Sequence, residues 1–590
     1  MQVPVEYEAV VIGSGFGGAV MCARLARRWP GKVLLLERGK EYPLGSFPRS
    51  PHGLGDNVWY QPSAEGRGRA RRAKPGRKGE QVSTGLFDIR HFDQIDTVTA
   101  AGLGGGSLIY ANVFLPPPPD VFAERWPAGL DRQTLDPYYA VARSVLGARP
   151  IPPWSGPDDR RYIERTVRFR EFAKSEGLES RDPDLCVFFG QGYSYEDKAE
   201  PTAIGVQEAN RFGARQTSCT YCGECDIGCN VHAKNTTDHN YIHAARHRYD
   251  ARVETEALAE RITPLDAQGQ PDPQADGSHG YEVVYRQLKN EIDAGTVTVT
   301  AQRVVVSAGT LGSNELLLRC RDVEETLPRI SPRLGTHFSG NGDFLSFAID
   351  GDKSMDASYG PVITQYTDHH LFTPKPGTPA FVLEDASYPT QVAAAIAALP
   401  LQPLARMWWM LKQVIAFVFS PRYPGKKQSS VGHLLERLVK HDLSQYSAVL
   451  LCMGRDQANG KLSLKQGWLD IEWPQASNMR LYDSILDLGK RFTKFIGGRK
   501  FLPMPTWLWP IKNNVTVHPL GGCAIADSPA EGVVSAAPGR RGQVFGYQGL
   551  YVADGSLMPT ALGANPCATI AALAEWIAHD ITGIAPDDQL

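Results

Sequence analysis

A glycine-rich turn between an apolar strand and a helix sets the strongest limit on how this chain folds. Residues 11–18 read VIGSGFGG, and residues 19–27, AVMCARLAR, continue as a helix. Gly13, Gly15 and Gly18 therefore occupy a strand-to-helix turn. There they permit a tight bend and let backbone N–H groups approach a pyrophosphate at the helix N-terminus. A second strand, residues 32–37, ends on Glu37, about where an acid binds a ribose hydroxyl. An acid at that point favours an unphosphorylated ribose. The pattern predicts a dinucleotide site and leaves FAD and NAD both open.

The rest of the chain bounds the function class. With 590 residues it has room for two or three domains. Its formal net charge of −2 supplies no global field for nucleic acid or anionic membranes, so no nucleic-acid partner is expected. A basic stretch at 67–78 is interleaved with Gly and Pro and reads as a solvated loop. The N-terminus enters its first strand with no basic, apolar leader, which predicts a cytoplasmic protein. The most apolar stretch, 404–419, is short and carries Arg406 and Lys412. It reads first as a core helix or a lid over an apolar pocket, with Trp408 and Trp409 covering ligand. A helix lying on a membrane surface, giving peripheral membrane contact, is the other reading.

Six ordered motifs carry a family resemblance. They are the turn at 11–18, AGLGGGSLIYAN at 101–112, VVVSAGTLGSNELL at 304–317, GTHFSGNGD at 335–343, VHPLGGC at 517–523, and GLYVADG at 549–555 with GANPCAT at 563–569. In this order the chain resembles the glucose–methanol–choline (GMC) oxidoreductases, and among them the cholesterol-oxidase-like branch. The resemblance implies FAD and an α/β fold, in which a discontinuous Rossmann-like domain packs against a substrate domain built on a mainly antiparallel sheet. The FAD domain is expected at 1–42, 91–120, 215–335 and 515–590, and the substrate domain and lid at 43–90, 121–214 and 336–514. Beyond the first glycines and Glu37, it implies FAD contacts at Gly104, Gly105, Ser107, Asn112, Ala259, Asp554 and Gly555. A turn-forming Asp before a glycine is the structural alternative for Asp554.

Alcohol oxidation needs a hydride acceptor and a group to take the hydroxyl proton. A histidine suits the second task, because its ordinary pKa of about 6.5 lies near working pH. By resemblance that histidine is His518, and its partner is Asn565, as in the sterol-oxidase-like members. Asn565 also reads as the N-cap of a helix with Pro566 at N1. Glu384 is the match for the glutamate with which cholesterol oxidases shift a steroid double bond; a solvated carboxylate at a strand end is its alternative.

One further motif stands apart. Cys219, Cys222, Cys225 and Cys229 follow a C-x2-C-x2-C-x3-C spacing that resembles a ferredoxin run for an iron–sulfur cluster. Asn230 stands where such runs carry proline. A cluster would pass electrons to an external acceptor, whereas four reduced thiols would leave O2 as the simpler acceptor. The substrate is expected to be a lipophilic alcohol, with a sterol first and a long-chain fatty alcohol second. A lyase on the same fold, with FAD only structural, is the reading from another class.

Overall fold

The computed structural model describes residues 5–59, 84–197, 199–289, 294–397, 443–508 and 511–590. The basic stretch at 67–78 and the apolar stretch at 404–419, with Trp408 and Trp409, lie outside the described residues. Among the described residues no helix is long and apolar enough to cross a membrane.

Two sheets organise the molecule. The first is built on the expected βαβ unit: strand Tyr7–Ile12, helix Phe16–Arg28 and strand Val33–Leu36. Its strands are almost continuously apolar and buried on both faces, as parallel strands covered by helices must be. Parallel pairing runs from Arg252–Glu254 through Val33–Leu36 and Tyr7–Ile12 to the long strand Gly295–Val306, and then to Leu550–Val552. The long strand does two jobs. Its second half lies in the parallel sheet, while along Gly295–Ala301 it pairs antiparallel with Tyr281–Gln287. The strand 550–552, from the far end of the sequence, completes this sheet.

The second sheet has six strands and is antiparallel throughout. Its order is Lys500–Pro503, Phe344–Ile349, Ala448–Gly454, Phe381–Ala386, Tyr366–His369 and Ser180–Arg181. Each sheet has its own apolar core. The α/β class and the antiparallel second sheet agree with the reading from sequence. A small third sheet, in which Asn514–Thr516 runs parallel to Ile95–Ala100, leads the chain to His518.

Helix Phe16–Arg28 packs on helix Cys567–Thr582 near the other end of the chain. A buried ion pair crosses that contact. Arg24 Nε lies 2.7 Å from Glu575 Oε2, the two side chains being 5% and 1% exposed. Tyr241 donates a further hydrogen bond to Glu575 Oε1 at 2.8 Å. Removing one partner of such a pair strands the other charge in the core, which costs about 3–5 kcal/mol. Glu575→Ala is therefore expected to lower stability by about that amount in a urea titration. A loss below about 1 kcal/mol would mean that the pair does not hold the two ends of the chain together.

Candidate active site

The nucleotide end is built from three backbone turns that touch. Gly13 adopts φ +98°, and a Cβ there would strike the Ser307 carbonyl oxygen at 2.3 Å, so only glycine lets this turn close on the neighbouring strand. A Cβ on Gly18 would meet the carbonyl oxygen of Gly13 at 1.9 Å. Gly15 differs, because no atom lies within 4 Å of its would-be Cβ. Helix Phe16–Arg28 starts immediately behind this open face with no side-chain cap, so its first N–H groups are left for a ligand. The second glycine loop abuts the first: a Cβ on Gly105 would sit 2.6 Å from Gly15 Cα.

Glu37 binds the turns together. Its Oε2 accepts from the Ser14 N–H at 3.1 Å and the Ser14 hydroxyl at 2.5 Å, and its Oε1 accepts from the Gly39 N–H at 2.8 Å. The same Ser14 oxygen accepts the Gly104 N–H at 3.0 Å. Ser107 donates to the Gly104 carbonyl at 2.6 Å and accepts the Thr237 N–H at 3.0 Å. Thr237, which the sequence alone did not flag, also reaches the Ser14 carbonyl at 3.2 Å. Asn112 is fully buried at φ +71°, and neither of its polar atoms has a well-formed hydrogen bond. Its amide faces the Cys225 thiol. The open face at Gly15 and the unsatisfied Asn112 amide fit a dinucleotide such as FAD, which would bring the missing polar partners.

Two of the expected FAD contacts have protein partners of their own. Ala259 pairs with Tyr285 in the antiparallel extension of the first sheet. The residue that meets the Glu37 turn is Ala257, whose N–H donates to the Glu37 carbonyl at 2.8 Å. Asp554 is held by its own neighbourhood. It accepts from the Ser556 N–H at 2.8 Å, and from the Ser556 and Ser313 hydroxyls at 2.5 Å each, where the short turn Gly555–Leu557 begins.

A second constellation lies where the two sheets meet. His518 follows strand Asn514–Thr516, and its Nδ1 is 2.8 Å from Asp343 Oδ1. Asp343 Oδ2 accepts the N–H groups of Val517 at 2.8 Å and His518 at 3.1 Å. Two residues earlier in the same turn, Asn341 Oδ1 accepts from the N–H groups of Leu562 at 3.0 Å and Gly563 at 2.9 Å. Its Nδ2 donates to the Ala564 carbonyl at 2.9 Å. One turn thus grips the segment of His518 with one side chain and the segment of Asn565 with another.

Asn565 is not the helix N-cap. The helix runs Cys567–Thr582 with Pro566 in the cap position and no side-chain cap bond. The Asn565 side chain bonds none of the first helical N–H groups, and its Oδ1 is buried without a partner. The amide acts on Glu384, on the strand Phe381–Ala386. Glu384 is 0% exposed and neither carboxyl oxygen has a well-formed hydrogen bond, so it is no solvated strand-end carboxylate. Burial holds its carboxyl well above the usual range, opposed only in part by the Asn565 amide.

The cysteine run does not form the cage that its spacing predicts. Among the described residues no three His, Cys, Asp or Glu side chains are grouped to hold a metal ion. Cys219, Cys222, Cys225 and Cys229 line one small cavity with Lys234. Three of them pack into the core behind the antiparallel sheet, while Cys222 is exposed. Burial pushes the Cys225 thiol up to about 12 and the Cys219 thiol well above its ordinary value. A cation is already present: the Lys234 ammonium donates to the carbonyls of Leu108, Tyr110 and Cys225 at 3.1, 2.8 and 2.8 Å.

The N-terminal and C-terminal profiles of the family described as GMC oxidoreductase match residues 202–338 and 510–574. Over those two segments the chain is similar to this family. A cholesterol oxidase of Acinetobacter baumannii is similar to this chain, 28% identical over 583 residues, which cover 97% of this chain and 93% of the relative. A long-chain-alcohol oxidase of Arabidopsis thaliana is 21% identical over 98% of this chain and 67% of its own length. Among solved structures, an FAD-dependent oxidoreductase from Chaetomium thermophilum shares the fold. Its TM-score is 0.56 at 14% identity, over 98% of this chain and 99% of that one. These matches make the chain an FAD-dependent oxidoreductase of the alcohol-oxidising kind.

If the Glu37 carboxylate orders the cradle, Glu37→Ala frees the donors of Ser14 and Gly39 together. The expected result is a protein that loses most of its FAD on dialysis, measured as the ratio of flavin to protein absorbance. Full retention would contradict the assignment.

Proposed function

We propose that this protein is a GMC oxidoreductase that oxidises a bulky, apolar alcohol, a sterol first, with His518 and Asn565 at the reacting hydroxyl and electrons passing to an acceptor such as O2. FAD is assigned to the parallel-sheet half of the chain and the alcohol to the antiparallel half. Bound FAD would supply the hydride acceptor. The chain's own residues handle the rest. The ring of His518 takes the hydroxyl proton, and the free amide of Asn565 orients the oxygen beside it.

One observation carries the choice of a sterol over a saturated fatty alcohol: the buried, unpartnered carboxyl of Glu384 next to Asn565. An unpaired carboxyl in an apolar interior is costly, and such groups persist where they do chemistry. After oxidation, an unsaturated ring ketone offers a double-bond shift, in which one group takes a proton from one carbon and returns it to another. A saturated chain alcohol offers no such step. The cholesterol oxidases among the relatives support the same class. Of the other expectations, peripheral membrane contact falls on residues outside those described.

Anaerobic mixing with a panel of sterols and fatty alcohols tests this reading, with flavin bleaching as the signal. Sterols are expected to bleach fastest. His518→Ala should keep FAD and slow the bleaching by about a hundred- to ten-thousand-fold, the usual contribution of a general acid–base group. Near-normal rates in that variant would remove His518 from the mechanism. Glu384→Gln should still oxidise an unsaturated sterol but leave its double bond in place, as read by ultraviolet absorbance of the product. A fully isomerised product would sink the role of Glu384.

A further inference from the structure

We infer that Asp343 is the positioning residue that sets the tautomer of His518, so that Nε2 is bare and ready to accept a proton. This rests on the reading of His518 as the group that takes the hydroxyl proton. The carboxyl of Asp343 is 2% exposed and its two oxygens do different work. Oδ1 faces His518 Nδ1 at 2.8 Å. Oδ2 is the meeting point of three donors: the N–H groups of Val517 at 2.8 Å and His518 at 3.1 Å, and the Thr516 hydroxyl at 3.0 Å.

An ionised carboxylate has only acceptors. A neutral imidazole that bonds to it through Nδ1 must therefore carry its one proton on Nδ1, and Nε2 is left with its lone pair. His518 Nε2 makes no hydrogen bond to any described residue, and the side chain is 15% exposed, so that lone pair is accessible. Once Nε2 has taken a proton, both ring nitrogens are donors. The imidazolium then faces a full negative charge across the same short contact, which stabilises it. No proton needs to reach Asp343 for this.

The arrangement makes a sharp demand on the isosteric variant Asp343→Asn. Two backbone N–H groups point at the Oδ2 position, and backbone donors need acceptors. The amide oxygen must take that place, which turns the NH2 toward His518 Nδ1. Nδ1 then has to accept, and the ring proton moves to Nε2, where it blocks proton uptake. Asp343→Ala, by contrast, removes the partner and leaves the tautomer free. A residue that only supports the fold predicts the opposite order, because Asn keeps the shape and both polar positions while Ala keeps neither.

Three proteins are compared with the sterol that bleaches the native enzyme: Asp343→Asn, Asp343→Ala and His518→Ala. Stopped-flow measurement separates the limiting rate of flavin reduction from the dissociation constant of the alcohol. Asp343→Asn is expected to keep its flavin content and alcohol affinity, to lose about a hundred- to ten-thousand-fold in limiting rate, and to be at least as slow as Asp343→Ala. A second readout needs no turnover. In protein labelled with ¹⁵N-histidine, the His518 ring is identified by its absence in His518→Ala. It should show the proton on Nδ1 in the native enzyme and on Nε2 in Asp343→Asn.

A limiting rate in Asp343→Asn within about threefold of native would overturn the inference, as would loss of flavin or of alcohol affinity in that variant, an unchanged ring tautomer, or a slower Asp343→Ala. The two readings separate cleanly. A native rate in His518→Ala overturns both, whereas a slow His518→Ala beside a normal Asp343→Asn overturns only the role of Asp343.

Discussion

Two side chains in one glycine turn, Asn341 and Asp343, hold the pieces of chain that meet at the candidate site. Asn341 bonds three backbone groups across residues 562–564, and Asp343 bonds backbone and ring at His518. The turn is itself anchored. The Gly342 N–H donates to Asp456 Oδ2 at 3.0 Å, and Ser339 donates to Asp456 Oδ1 at 2.8 Å. Burial raises the Asp456 carboxyl to about 6, and the nearby Asp343 charge adds to that rise. These are charge-assisted and amide bonds in a nearly dry setting, where each unmade bond is expensive. The geometry at His518 and Asn565 is therefore over-determined rather than left to the flexibility of two loops.

The nucleotide end follows a different logic. There the backbone itself makes the site, and side chains such as Glu37, Ser14 and Ser107 tie one turn to the next. Glycines are needed because neighbouring backbone lies closer than any Cβ permits, as at Gly13 against Ser307. The open face at Gly15 is the exception that leaves room for a ligand. Such a requirement acts residue by residue along a short stretch, which is why it can be read from spacing.

The cysteine run shows what spacing alone leaves open. Its intervals suit a metal, but among the described residues no three ligand side chains are grouped, and three of the cysteines pack against apolar side chains. Asn565 shows the converse. Its neighbours in sequence suggested a capping role that the backbone does not use, and the amide so released is left beside Glu384. Burial of the Glu384 carboxyl could not be read from FVLEDA at 381–386, because a strand of that composition serves equally on an edge or at the centre of a sheet.

The sequence by itself determined the α/β architecture, the glycine cradle with Glu37, and the neighbourhoods of His518 and Asn565. These depend on local backbone demands: glycine where φ is positive or backbones touch, apolar runs where strands are covered on both faces, and short motifs in a set order. Only the tertiary structure decided that Asp343 faces His518 from 175 residues away, that Glu384 lies buried beside Asn565, and that Cys219, Cys225 and Cys229 pack into the core while Cys222 is exposed. Those facts belong to pairs of residues that chain folding brings together, and the cost or gain of a buried charge exists only once its surroundings are in place.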